Sequence, residues 1–341
     1  MLSFITGVAR PALTGEERQF LKEARPWGLI VFKRNIETPA SLKALIDDFR
    51  SAVGWPAPVL VDQEGGRVQR LGPPQWPSYP PGAAYGVLYD RDKQLGLAAA
   101  TLGANLMAAD LRAVGIDVDC APIADVPVAG ANPIIGDRAY GTEPAKVAAI
   151  ADAIAAGLLQ SGVLPVLKHL PGHGRATADS HDKLPVVAAD RDALEATDFA
   201  AFRPLKGLPL GMTAHVVFSA IDPVAPATAS VTIVRDVIRD SIGFSGLLMS
   251  DDISMGALSG SIGERTKAAI AAGCDVVLHC NGKMDEMLAV AAAVPRLTGA
   301  AARRAEAALT LRRPPAPIDF AARRAEFFNL MAGALPAPGS A

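Results

Sequence analysis

Cysteine is scarce in this 341-residue chain: Cys120, Cys274 and Cys280 form no C-x-x-C pair and sit among apolar residues. Such spacing suits a reducing compartment rather than a disulfide framework. Excess charge is also missing. The formal net charge of −2 provides no field that would gather nucleic acid or an anionic membrane. No stretch reaches the ~18 uninterrupted apolar residues of a membrane span. The N-terminal MLSFITGVARPALTGEERQF lacks the basic region, long apolar run and small-residue cleavage site of a secretory leader. These absences exclude nucleic acid and membrane as expected partners and make the cytoplasm the expected location. A monomer is expected.

What is present is a rhythm. Half of the residues are hydrophobic and 20% are charged, enough for a large core. Short apolar runs at 3–8, 28–33, 57–62, 115–120, 163–168, 208–215, 246–251 and 274–280 read as eight strands. Most are near-continuous rather than alternating, as parallel strands covered on both faces should be. Helices are expected between them. Thr14 and Glu17 have capping-box spacing, and Thr38-Pro39 offers an N-cap followed by a proline at the first helical position. Leu42, Leu45, Ile46 and Phe49 then mark one helical face. Further helices are expected at 92–113, 144–160, 191–205, 231–242 and 264–272, then at 299–311 and 318–332. The proline-rich 73–82 is expected to be a structured loop.

Eight strands alternating with helices predict the α/β class and a single (β/α)8 barrel of the TIM type, spanning 1–335, with 336–341 as a frayed tail. The competitor is a doubly wound open sheet. It is disfavoured because no G-x-G-x-x-G follows an early strand and the polar residues gather at no single switch point.

A barrel enzyme carries its chemistry at the C-terminal ends of its strands, and polar residues collect there. Strand three runs into Asp62, Glu64, Arg67 and Arg70, and strand four into Asp119 and Asp125. Strand five ends at Lys168 and His169, strand six at His215, strand seven at Asp251-Asp252, and strand eight at His279 and Asn281. Solvent beginning at strand ends accounts for part of this pattern.

The segment 168–185, KHLPGHGRATADSHDKLP, holds three of the five histidines. Its glycine and proline preclude a helix over 170–175, so His169 and His173 are not a helical metal pair. Asp179 and His181, two apart in an extended loop, project to the same side. The carboxylate can then fix one imidazole tautomer and, by favouring imidazolium, hold the histidine pKa near neutrality for acid–base work. A loop-ordering hydrogen bond is the plainer reading and stays open. At the end of FSGLLMSDDISM, alternation points one carboxylate toward the barrel axis and the other away. The inward one is a candidate nucleophile or base, unless both are caps.

The motifs VDQEGGRVQR (61–70), IIGDRAYG (134–141), KHLPGHG (168–174), DSH (179–181), MTAHV (212–216) and SDDISM (250–255) occur in an order that resembles the bacterial β-N-acetylglucosaminidases of glycoside hydrolase family 3. The resemblance covers about residues 1–310, and KH-x-PGHG followed by DSH is its specific element. Leu170 stands where the family often has phenylalanine. The resemblance implies Asp251 as nucleophile of a retaining mechanism and His181, oriented by Asp179, as general acid and then base, in place of the second carboxylate most such enzymes use. It also implies that Asp62, Arg70, Arg138, Lys168 and His169 bind the sugar, while His173 and His215 shape loops. No cofactor is implied. The implied partner is a small carbohydrate, a muropeptide or chitooligosaccharide, and the implied task is removal of terminal N-acetylglucosamine during cell-wall recycling.

Other chemistries fit parts of the pattern. His169, His173, Asp179 and His181 could ligate a metal in a metal-dependent barrel hydrolase, and Lys168 could form a Schiff base. The substrate's own acetamide could displace the leaving group with Asp251-Asp252 assisting, or the barrel could bind sugar without cleaving it.

Overall fold

The computed structural model describes residues 1–180, 183–314 and 319–334. Its centre is a closed barrel of eight parallel strands in sequential order, the last pairing with the first. The strands are β1 (Leu2–Thr6), β2 (Pro26–Val31), β3 (Val59–Val61), β4 (Val118–Asp119), β5 (Leu164–Leu170), β6 (Leu210–Thr213), β7 (Leu247–Asp252) and β8 (Val276–His279). All eight coincide with the expected apolar runs, and the open-sheet competitor is excluded by ring closure.

Two apolar layers explain why these runs lack alternation. Ile5, Ile30, Leu60, Val118, Val166, Leu210, Met249 and Val276 fill the barrel interior. Their neighbours Phe4, Leu29, Val59, Leu167, Leu248 and Val277 face outward into the surrounding helices. Each such side chain, fully withdrawn from water, contributes roughly 1.5–3 kcal/mol.

The helices are α1 (Gly15–Ala24), α2 (Pro39–Val53), α3 (Gly82–Arg91), α4 (Lys93–Ala113), α5 (Pro144–Gln160), α6 (Arg191–Ala196), α7 (Asp198–Phe202), α8 (Ile262–Ala272), α9 (Met284–Ala293), α10 (Gly299–Leu309) and α11 (Phe320–Met331). The capping box of α1 forms as expected: Glu17 N–H donates to Thr14 Oγ1 at 3.0 Å, and Thr14 N–H to Glu17 Oε2 at 2.7 Å. Thr38 caps α2, with Pro39 opening the helix.

The helix expected over 92–113 forms as α4, with Asp92 as its N-cap, the carboxylate accepting from the Gln94 and Leu95 N–H groups. The residues before it form a further helix, α3, that no expectation covered. Two expectations need correction. The single helix expected over 191–205 is broken at Thr197 into α6, α7 and a 3-10 turn. Thr197 is drawn out of helical geometry while its hydroxyl binds Ala193 O and accepts from Arg175. The segment Ile233–Ser241 is wound as a π-helix, with Ile242 N–H donating to Val237 O at 2.8 Å.

At the N-terminal end of the barrel, α10 closes the floor by adding Ala305 and Ala308 to the interior cluster with Trp27. The last helix, α11, lays Phe327 and Met331 against α3 and α4. The tail expected to fray, 336–341, lies outside the described residues. Among the described residues no helix is long and apolar enough to cross a membrane.

Candidate active site

The segment after β3 doubles back as a small antiparallel hairpin, Gln63–Gly65 against Val68–Gln69. Its turn uses Gly65 and Gly66, both at positive φ. A Cβ on Gly65 would collide with the Pro80 carbonyl, and one on Gly66 with the Pro81 ring. The double glycine thus lets the proline-rich loop cross the hairpin at backbone contact. Beneath it, the buried Gln63 amide orders the chain: Oε1 accepts from Arg70 N and Leu71 N, both at 3.0 Å, and Nε2 donates to Leu71 O at 2.9 Å.

This scaffold delivers two carboxylates to three cations. Asp62 accepts from Lys168 Nζ at 3.1 Å and Arg70 Nη2 at 3.0 Å. Glu64 lies 2.6 Å from Lys168 Nζ and takes a two-pronged contact from Arg138, Nε and Nη2 each at 2.8 Å. Burial opposes ionisation of both acids, but Lys168, with Arg70 beside Asp62 and Arg138 beside Glu64, overrides it. Asp62 is held well below the usual carboxylate range, and Glu64 falls to about 2. Burial likewise opposes the charge on Lys168, yet Glu64 and Asp62 raise its affinity for the proton. That locks the amine as a cation at neutral pH, the opposite of what a Schiff-base lysine needs. Two negative and three positive groups leave one positive charge in surplus, facing the cleft.

His169 follows Lys168 and directs Nδ1 to Asp125 Oδ2 at 2.6 Å. Asp125 Oδ1 also accepts from His173 N–H at 2.6 Å, so one buried carboxylate holds the turn after β5 and sets the orientation of His169. The His173 ring meets Ser180 Oγ at 3.1 Å through Nε2. Burial, then the neighbouring His169, lowers its pKa to about 4, so it is neutral at pH 7. His215 is fully buried, bonded to Thr228 Oγ1 at 2.7 Å and Asp252 O at 2.9 Å. It braces the loop after β7.

The two carboxylates closing β7 differ in duty. Asp251 continues the inward phase of Leu247 and Met249, and its Oδ1 accepts from Asp252 N–H at 2.7 Å. Burial opposes its ionisation, but the pull of His215 and His169, the Asp252 N–H and Lys168 keeps it below the ordinary value. Asp252 is spent on structure. Its Oδ1 accepts from Ser254 N–H and Cys280 N–H at 3.0 and 3.1 Å, and its Oδ2 from Ser254 Oγ at 2.7 Å.

Asp62, Arg70, Arg138, Lys168, His169 and Asp251 line one cleft at the C-terminal end of the barrel. The cleft encloses about 270 Å³, floored by Ile30, Met212 and Leu278 and walled on one side by Phe32. Phe32 is flanked by Arg34 at 4.7 Å and Arg70 at 5.5 Å from its ring centre. Ser180 also lines the cleft, and Asp179 is the residue before it. His181 lies outside the described residues. Among the described residues no group of three His, Cys, Asp or Glu side chains could hold a metal ion. Of the metal-ligand alternative, His169 Nδ1 and His173 Nε2 are already engaged with Asp125 and Ser180.

Two contributors carry no assigned role in the sequence reading. Glu64 stands two residues from Asp62 in extended chain, so both point the same way. That spacing was a usable signal. Asp125 sits 44 residues from the histidine it orients, and nothing local announces the pairing.

Residues 4–310 match the Glycosyl hydrolase family 3 N terminal domain. A β-hexosaminidase of Alkalilimnicola ehrlichii is 40% identical over 279 residues, covering 81% of this chain and 79% of the relative. NagZ from Neisseria gonorrhoeae, solved with N-trifluoroacetyl-D-glucosamine, superposes with a TM-score of 0.85 at 32% identity, covering 96% of this chain and 98% of that one. A family 3 β-N-acetylglucosaminidase from a Paenibacillus superposes with a TM-score of 0.78 at 28% identity, covering 99% of this chain and 63% of that one. The barrel, the charged cleft at its rim and these matches identify the chain as a glycoside hydrolase belonging to glycosyl hydrolase family 3.

Proposed function

We propose that this chain is a retaining exo-β-N-acetylglucosaminidase that removes non-reducing terminal N-acetylglucosamine from muropeptides in cytoplasmic cell-wall recycling, acting as a monomer. One observation carries the reading: Asp251, half-buried and with its pKa held below the ordinary carboxylate value, faces a cleft of about 270 Å³ ringed by Asp62, Arg70, Arg138, Lys168 and His169. That volume sits at the lower edge of the ~300–1,000 Å³ of ligand pockets. It suits one sugar ring, hence cleavage from a chain end.

Asp251 attacks C1 and forms a glycosyl ester as the C1–oxygen bond to the leaving group breaks. His181, oriented by Asp179, gives its proton to the departing oxygen, then takes one from the water that hydrolyses the ester. An imidazolium acid places no second anion beside the nucleophile. The role of His181 rests on the DSH motif. Asp62 accepts hydroxyl protons of the sugar, and Arg70, Arg138, Lys168 and His169 donate to its oxygens, contacts that strengthen as the ring flattens toward an oxocarbenium ion.

A chromogenic N-acetylglucosaminide assayed with wild type, Asp251→Asn and His181→Ala tests the scheme. Asp251→Asn is expected to lose at least about 10³-fold in kcat. A fluorinated N-acetylglucosaminide should leave an adduct on Asp251 detectable by mass spectrometry, and an unlabelled Asp251 would favour attack by the acetamide instead. His181→Ala should lose less with a good leaving group than with a poor one. Equal losses would remove His181 from the acid role.

A further inference from the structure

The last described helix, α11, lies beyond residue 310, where the family match ends. Its Arg324, Phe327 and Phe328 converge on Tyr79. Arg324 pairs with Asp110 of α4 through Nη2 at 2.8 Å, and its Nη1 donates to Tyr79 Oη at 2.9 Å. Tyr79 Oη in turn donates to Asp110 Oδ2 at 2.6 Å. The Tyr79 ring lies 6.1 Å from Phe327 and 6.2 Å from Phe328, centre to centre. Gly103 of α4 makes room for this packing, since a Cβ there would strike both the Phe327 ring and Tyr85 Oη.

Tyr79 belongs to the proline-rich loop, and that loop is joined to the sugar-binding hairpin by a continuous set of hydrogen bonds. Tyr79 N–H donates to Gln69 Oε1 at 2.8 Å, and Tyr79 O accepts from Gly66 N–H at 2.9 Å. The Gln69 amide donates to Leu71 O and Pro77 O, each at 2.8 Å. Gln63 then grips the backbone N–H groups of Arg70 and Leu71 from the other side. Arg70 sits at the centre of this frame and reaches Asp62.

We infer that Arg324 and Tyr79 are positioning residues for Arg70, with α11 acting as an external clamp on the wall of the sugar cleft. The inference rests on the reading of Arg70 and Asp62 as sugar-binding groups. The mechanism is steric and electrostatic. Two buried glutamine amides fix the loop internally, and the Tyr79–Asp110–Arg324 contacts tie the loop to the helical layer through a charged anchor. Removing the anchor frees the loop to shift, and Arg70 with it, while Asp251 on β7 stays in place. The signature is weakened sugar binding without loss of turnover.

The test uses the full chain carrying Tyr79→Phe, which keeps the ring packing, or Arg324→Met. Amide hydrogen exchange over residues 63–79 and kinetics on a chromogenic N-acetylglucosaminide are read together, with thermal melts as reference. Faster exchange in 63–79 but not in the barrel strands, KM raised about 3–10-fold and kcat within about twofold are expected. Unchanged exchange over 63–79 overturns the clamp, as does faster exchange with KM unmoved. A fall in kcat that tracks a fall in melting temperature in both variants also overturns it, because the contacts would then serve global stability alone. If wild type fails to cleave the N-acetylglucosaminide, the substrate reading fails, whereas the exchange result still decides whether α11 holds the loop.

Discussion

The two ends of the barrel both bury aspartates against arginines, yet they use them differently. At the N-terminal end, Asp117 takes Val59 N–H at 2.7 Å, Arg50 at 3.1 Å and Arg312 at 2.8 Å. Asp275 repeats the arrangement with Leu248 N–H at 2.9 Å, Arg239 at 2.9 Å and Arg304 at 2.8 Å. Each ties a strand to the helical layer and none of these groups lines the cleft. At the C-terminal end, Asp62 and Glu64 are matched just as closely, but Asp62 and the three cations they hold also face the cleft. A buried ion pair therefore says little about function until its access is known. The floor uses charge to fix strands, whereas the rim turns its charged donors and acceptors toward the cleft.

Substitutions matched across the two ends sharpen this contrast. Glu64→Gln leaves Lys168 and Arg138 facing each other without their shared anion. It should cost about 3–5 kcal/mol of stability in urea unfolding and raise KM about tenfold. Asp275→Asn should cost a similar 3–5 kcal/mol or somewhat less, while kcat/KM stays within about twofold at temperatures where the variant remains folded. Comparable KM changes in both would break the distinction between floor and rim.

Acid should act on the rim through its lowered carboxylate pKa values. An unfolded glutamate takes up its proton near pH ~4.3, whereas folded Glu64 holds out to about 2 and Asp62 lower still. Below pH ~4.5 the unfolded chain thus binds more protons, and stability falls as pH drops toward 2. Urea midpoints measured from pH 5 to 2.5 should show this slope, and Glu64→Gln should flatten it. The smallest effect concerns Asp119, which is fully buried, accepts Gln63 N–H at 3.0 Å and has Oδ2 without a partner. Burial pushes its pKa well above the usual range. Its folded form is protonated where its unfolded form is ionised, so it costs stability at neutral pH. Asp119→Asn should raise the melting temperature at pH 7, with the gain shrinking toward pH 4. A gain independent of pH would show that ionisation is not its source.

The barrel was legible because parallel strands covered on both faces leave unbroken apolar runs, and eight of them at helical spacing admit few closures. The caps at Thr14 and Thr38 were legible because their chemistry is local. Helix α3 was not. Gly82 and Gly86 are poor helix formers, placed where a Cβ would collide with the carbonyls of Arg138 and Tyr140, so tertiary contact overrode local preference. The break at Thr197 was hidden for a like reason, since Arg175, which holds its hydroxyl, is remote in sequence. In the site, the residue types at strand ends were readable and their partners were not. Glu64 with Arg138, and Asp125 with His169, are pairings that only the closed ring creates.

The apolar floor beneath the cleft has a consequence for how such an enzyme works through a long substrate. Ile30, Met212 and Leu278 rest on the filled interior of the barrel, so the pocket is closed at its base. What enters cannot pass on through the barrel. Under the proposed cleavage from a chain end, the shortened chain would have to depart before the freed monosaccharide could escape, and each cut would end in complete release. Digestion of an oligomer should therefore be distributive, with all intermediate lengths accumulating in solution rather than one chain being consumed to its end.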